Sequence, residues 1–324
     1  MSKFYLFIFL FFSFFQSQDS PHLEPEPIAE NNDCNDCLPP PANTQGLLIA
    51  TRFKSMEELE KVIQIEYFNE IPFPEFFRKP RPMVRVTHHS RSHSVRSNLQ
   101  SGITESDISA AQRGNFFDKA FLVLRFPFLA IHRKDFMRVF ILSRRREHIF
   151  GIGDVAFYDL AENMLYHIKD EDIERMPLED LSEKGFINTF NHFTAQAFMT
   201  TLFSERLADF IADTHERTNM IELLTGNFTP EQLDDLEKGP IDNFVDIINN
   251  EWGQEMGKKL KKKYQITRKT HWTPELLSAY LNDIQSYYSW AFQIGFQPFR
   301  TSDEVVIRFA YKLNRVMKSV KGLN

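Results

Sequence analysis

Apolar residues recur at helical spacing through most of the chain beyond residue 113, and polar residues fall between them where helices start and stop. Gly185 to Phe203, Ser204 to Thr218 and Pro240 to Lys263 read as three successive helices, each opened by a residue suited to a first turn. Residues 116–150 are densely apolar with Pro127 inside, which predicts two helices broken at that proline, because it lacks an N–H and clashes with the preceding turn. Asp154 is placed to cap a helix running to about Ile168. Thr229 before Pro230, Thr273 before Pro274, and Ser302 before Asp303 and Glu304 mark three more starts. The last two helices, about 274–295 and 303–318, carry Leu277, Tyr280, Leu281, Ile284, Tyr287 and Tyr288 at helical spacing. The expectation is a mainly α chain, a multi-helix bundle over residues 113–324 with its motif core at 185–257.

Upstream the pattern changes. Phe4 to Phe15 is an unbroken apolar run behind Lys3 and reads as a secretory signal occupying residues 1–18. It is shorter than the roughly twenty residues needed to cross a bilayer, so cleavage is expected, with no transmembrane span afterwards. Export to the periplasm, cell envelope or extracellular space follows. Gln18 to Gln45, with Pro39-Pro40-Pro41 at its centre, is too polar and proline-rich to bury a core and reads as a disordered tether. Ser55 and Glu58 form a capping-box pattern that predicts a short helix near residues 55–68. From Pro72 to Gln112 apolar periodicity fades, and Arg81, Arg85, His88, His89, Arg91, His93 and Arg96 lie among serines. That stretch reads as a flexible basic linker, with metal capture by His88, His89 and His93 as the alternative. Residues 19–112 are thus expected to be mostly tether and linker.

Composition narrows the class. Thirty-three Phe against twelve Gly favours packed helices over a turn-rich β architecture. A formal net charge of −6 argues against a chain that coats nucleic acid, whose phosphates need a basic surface. Cys34 and Cys37 sit in a Pro/Asn/Asp-rich run, without the strand–helix setting of a redox CxxC, and predict a local bridge or two free thiols. Lys258 to Lys263, interrupted only by Leu260, reads as a solvated helix end; weak contact with a membrane surface is the other reading.

Three polar clusters interrupt the central helices: Asn188-Thr189-Phe190-Asn191-His192, His215-Glu216, and Asp246 through Gly253. Asn188 and His192 share a face, while Asp246, Asn249, Asn250, Gly253 and Gly257 stripe one side of the next long helix. Asn219, four residues past His215, excludes the HExxH arrangement. Imidazoles and carboxylates converging inside a bundle are how metal hydrolases are assembled. His192, His215, Glu216 and Asp246 are therefore the candidate catalytic groups, and a divalent metal on His192, His215 and Asp246 is the candidate cofactor. Asn188, Asn249, Asn250 and Gly253 would contact or orient it, and the Gly253–Gly257 pair would let a substrate or another helix approach. The rival reading needs no ligand: the same groups would satisfy one another and hold helix register.

These motifs, in this order, resemble an uncharacterised bacterial all-helical domain found in exported and toxin-like proteins. Its pattern is close to N-x-F-R-H, then H-E, then D-x-x-N-N-x-x-G-x-x-x-G, covering about residues 150–263 here. The resemblance implies a composite site at these motifs and no particular reaction; the hydrolase-like reading rests on the imidazole and carboxylate groups themselves. Asn191 stands where the pattern carries Arg, which implies the loss of a charge suited to an anionic group, and with it a non-catalytic member as the alternative.

Overall fold

The computed structural model describes residues 46–70, 80–90 and 93–318. The expected signal at 1–18, the tether to residue 45, and Cys34 and Cys37 lie outside them. The described chain is mainly α. It begins with α1 (Met56–Leu59) and three strands, β1 (Ile63–Glu70), β2 (Arg81–Ser90) and β3 (His93–Gln100). Next come α2 (Glu105–Arg113), α3 (Phe116–Arg125), α4 (Pro127–Ile131), α5 (Arg133–Leu142), α6 (Glu147–Phe150), α7 (Phe157–Tyr166) and α8 (Asp170–Ile173). The rest is α9 (Asn188–Leu202), α10 (Glu205–Asn219), α11 (Pro230–Asp234), α12 (Pro240–Lys263), α13 (Pro274–Phe292) and α14 (Glu304–Lys318).

Most expected starts hold. Pro127 opens α4 after the break at Phe126, Ser204 accepts from the Leu207 N–H, and Thr229 and Thr273 cap α11 and α13. Asp154 differs. Its carboxylate accepts from the Arg146 N–H at 2.7 Å and from Lys312 Nζ at 2.7 Å, while α7 is opened by Asp159 bonding back to the Ala156 N–H at 2.6 Å.

The expected basic linker is instead an antiparallel sheet ordered β1-β2-β3. The reason is a period-two pattern. Val84, Val86 and His88 on β2 face inward, paired in register with Leu99, Ser97 and Val95 on β3, while Arg85, His89, Ser94, Arg96, Asn98 and Gln100 are among the outer positions. The predicted helix over 55–68 is one turn, α1, before the chain extends into β1. Val84, Val86, Val95 and Leu99 belong to the same contiguous core as α9, α12 and α13, so no core boundary falls near residue 113.

His88 is no metal trap. It is 1% exposed and accepts a hydrogen bond at Nδ1 from Trp252 Nε1 at 3.0 Å, tying β2 to α12. Burial, then the neighbouring His89, lowers its pKa to about 4. The unfolded chain, with an ordinary value near 6.5, therefore binds more protons between pH 6.5 and 4, and stability falls as pH drops through that window. Urea melts at pH 7 and 4.5 should show the parent losing about 2–3 kcal/mol more than His88→Gln, which keeps an acceptor for Trp252. Equal losses in the two proteins would refute the assignment.

Helices α9 and α12 form the central pair. A Cβ on Gly253 would lie 2.5 Å from the Phe193 carbonyl oxygen, and one on Gly257 would lie 2.5 Å from that of Ala197. The two glycines are thus a helix-to-helix contact, not a ligand approach. Beside this contact, Phe190 stacks on Tyr288 at 4.1 Å and Phe193 on Tyr287 at 5.0 Å, docking α13. Three of the five lysines ending α12 are engaged within the chain, Lys258 with Glu205 and Glu255, Lys261 with the Phe203 carbonyl, and Lys263 with Asp283, while Lys259 and Lys262 are exposed. No helix of the described residues is long and apolar enough to cross a membrane.

Candidate metal centre

The close α9–α12 approach sets the site. It carries His192 of α9 against one stripe of α12, Asp242, Asp246 and Asn250, which recur every four residues on a single face. Asn249, Gly253 and Gly257 form a second stripe. Asn249 is fully buried and grips the peptide of Leu48: its Oδ1 accepts from the Leu48 N–H at 3.0 Å, and its Nδ2 donates to the Leu48 carbonyl at 2.9 Å. Its role is to pin the entering chain. Neither Asn249 nor Gly253 contacts a cofactor position.

Asn250 joins two of the remaining groups. Its Nδ2 donates to Glu216 Oε1 at 3.2 Å, leaving Oδ1 for His192 Nδ1 at 3.0 Å. An amide oxygen only accepts, so Nδ1 carries the proton and Nε2 keeps its lone pair. That lone pair faces Asp246 Oδ2 at 3.3 Å. The other oxygen of Asp246 accepts from Asn188 Nδ2 at 3.0 Å, and Asn188 also reaches Asp242 Oδ1 at 3.3 Å. Lys184 Nζ lies 3.2 Å from Asp242 Oδ2. Each of His192, Glu216 and Asp246 is thus held from behind by an asparagine amide, with its other polar atom turned inward. For Glu216 that atom is Oε2, which is buried without a hydrogen-bond partner.

A nitrogen of His192 and one oxygen each from Glu216 and Asp246 lie within 4.8 Å of one another. An ion with bonds of about 2.1 Å needs donors about 3–4 Å apart, so small side-chain rotations close the set. The electrostatics point the same way. Burial, then the His215 ring, lowers the His192 pKa to about 4, which keeps the imidazole neutral and its lone pair available. Burial pushes Asp246 up to about 7, and burial with Asp246 and Asp242 nearby pushes Glu216 well above the carboxylate range. Two buried carboxylates resisting ionisation beside a neutral imidazole are what a divalent cation relieves.

His215 is not brought into the donor set, which corrects the expected His192–His215–Asp246 triad to His192–Glu216–Asp246. Both residues of the His215-Glu216 pair line one pocket nonetheless, because the pocket runs across the end of α10. Glu216 lies at its buried inner end and His215 nearer solvent, with the two imidazole centroids 6.3 Å apart. His215 Nδ1 lies 3.3 Å from Glu105 Oε1, and its Nε2 accepts from Asn219 Nδ2 at 3.0 Å.

The sequence reading missed Glu105, Asp242 and Lys184. Glu105 is set by long-range contacts: its N–H donates to Thr218 Oγ1, and Arg217 binds the carbonyls of Gln100 and Ile103 just before it. Asp242 could have been found, since it continues the Asp246–Asn250 spacing backwards by one turn.

The pocket's other walls are Ala195, Gln196, Met199, Ile211 and Ala212. Its free volume of about 20 Å³ is room for one water molecule or a hydrated ion's ligand. Neutral imidazole plus two carboxylates suits Zn²⁺, Mn²⁺ or Fe²⁺, and three protein donors leave coordination positions open, as in catalytic and not structural sites.

No family model, curated protein or solved structure matches the chain.

Proposed function

We propose that this chain is a metal-dependent hydrolase-like protein that works outside the cytoplasm, binding a divalent cation through His192 Nε2, Glu216 Oε2 and Asp246 Oδ2. The observation that carries the reading is the buried, partnerless Glu216 Oε2, aimed at the same point as two other donors whose far atoms are fixed by Asn188 and Asn250. Among the buried side-chain atoms without a partner in the described residues, Glu216 Oε2 is the only carboxylate oxygen, and leaving a buried acceptor unsatisfied costs about 1–3 kcal/mol unless a ligand completes it. The apolar run Phe4–Phe15 and the motif resemblance support an exported setting.

When bound, the cation would supply Lewis acidity and a water of lowered pKa for attack on a phosphoester or amide. The chain's own residues do the rest. Asn250 holds the His192 tautomer, Asn188 turns Asp246 inward, and Ala195, Met199, Ile211 and Ala212 give the pocket apolar walls. His215, oriented by Glu105, stands at the outer side, where a leaving group would depart. The full chain, stripped with chelator and then reloaded separately with Zn²⁺, Mn²⁺ and Fe²⁺, should hydrolyse at least one member of a phosphodiester, phosphomonoester, ester and anilide panel. Loss of the same activity in His192→Ala is expected. Stoichiometric metal uptake with no hydrolysis across the panel would leave a binding protein; no uptake of any ion would refute the reading as a whole.

A further inference from the structure

The pocket beside His192 is smaller than a hydrolytic reaction requires. It has room for one water molecule, whereas a phosphoester or amide brings several heavy atoms to the attacked centre. Some wall must therefore yield. Of the residues lining the pocket, Glu105 alone stands outside α9, α10 and α12, and those three helices all contribute to the main core. The wall carrying Glu105, the first residue of α2, is the one with less to hold it.

Helices α2 and α3 form a unit of their own. Each closes its own first turn, Thr104 with Asp107 and Asn115 with Asp118 in reciprocal capping boxes, so neither needs the body of the protein to satisfy that end. Ile103, Ile108, Ala111 and Leu122 pack in a small cluster separate from the core that holds α9, α10 and α12, and the half-buried Leu129 and Phe210 touch both. A unit with so little buried apolar surface opens at low free energy. At one end the chain is fixed to α10 by Arg217, which donates to the carbonyls of Gln100 and Ile103. At the other, Phe126 leaves helical geometry before Pro127. Between these points Glu105 meets the rim of the pocket: its Oε1 lies 3.3 Å from His215 Nδ1, and its N–H donates to Thr218 Oγ1 at 2.8 Å.

We propose that α2 and α3 are a lid over the candidate metal centre, held shut by Glu105 on His215 and Thr218, and that it swings away to admit the ion and the substrate. The inference rests on the metal-centre reading. The opposite approach, past Lys184 and Asn188, is closed by their bonds to Asp242.

The test is the rate of Zn²⁺ exchange on the full chain, or of Mn²⁺ exchange should Zn²⁺ not be taken up. Uptake by the stripped protein and release to excess chelator are followed by stopped flow, with Kd from titration. Leu122→Ala hollows the lid cluster without touching the pocket. It should speed uptake and release alike, each by about tenfold or more, and leave Kd within about threefold of the parent, because an easier passage changes both rates together. Val316→Ala, at a fully buried position of the main core on α14, controls for general loosening and should exchange like the parent. Should Leu122→Ala melt well below the parent, Thr218→Val, which removes the acceptor of the Glu105 N–H, replaces it with the same expectation. Unchanged exchange in the lid variant, equal acceleration in Val316→Ala, or a rise in release alone would each overturn the lid and leave the metal centre standing. A parent that takes up neither ion would remove both.

Discussion

Glu216→Gln should bind Zn²⁺ or Mn²⁺ at least a hundredfold more weakly than the parent, a change of about 2.7 kcal/mol, while its metal-free form melts no lower than the metal-free parent. The amide keeps an oxygen for Asn250 to donate to, so the local fold loses no contact. It removes the partnerless buried oxygen of Glu216 and the charge whose burial disfavours ionisation. Titration calorimetry on the stripped proteins, beside their thermal melts, measures both quantities. The combination is diagnostic. If Glu216 served only packing, the substitution would leave metal affinity untouched; if it belonged to an essential polar network, the metal-free variant would melt well below the parent.

The second large effect lies far from the site. Lys312 is fully buried, and its Nζ donates to Asp154 Oδ2 and to the carbonyls of Arg144 and Val155, closing α14 over the turn before α7. Burial brings its pKa down to about 8, yet the contact with Asp154 keeps the ammonium charged at neutral pH. Lys312→Met is expected to cost about 3–5 kcal/mol in urea unfolding, because Asp154 is left as an uncompensated buried charge. Adding Asp154→Asn, which removes that charge and still accepts from the Arg146 N–H, should recover part of the loss. A double variant less stable than Lys312→Met would show that the ion pair is not the cause.

The helical half of this architecture was legible because its signals are local. Ser204, Thr273 and Pro240 mark their helices within a residue or two, and the stripe on α12 announced a polar face. The sheet was missed for a related reason. Its outer face is so rich in arginine, serine and histidine that the inward Val84, Val86, Val95 and Leu99 looked isolated, although their period of two was present. The site was half legible. His192, Glu216 and Asp246 were all named as chemistry-bearing groups, but their grouping was not, since adjacent residues of a helix point about 100° apart and which of His215 and Glu216 meets α9 depends on how α10 packs against it. Asn249 and Gly253 illustrate the limit. Spacing showed that both are special, and only the packing of Leu48 and Phe193 shows that their neighbours are backbone.

The clamp of Asn249 on the Leu48 peptide also bears on how the chain folds. It joins residues 201 positions apart, and Leu47, Leu48 and Ile49 beneath it are wholly buried. Thr189 also donates to the Leu48 carbonyl and Arg52 to Asp180, so the first described segment is closed by partners 128 to 201 positions downstream, and contacts this far apart slow the search for the native fold.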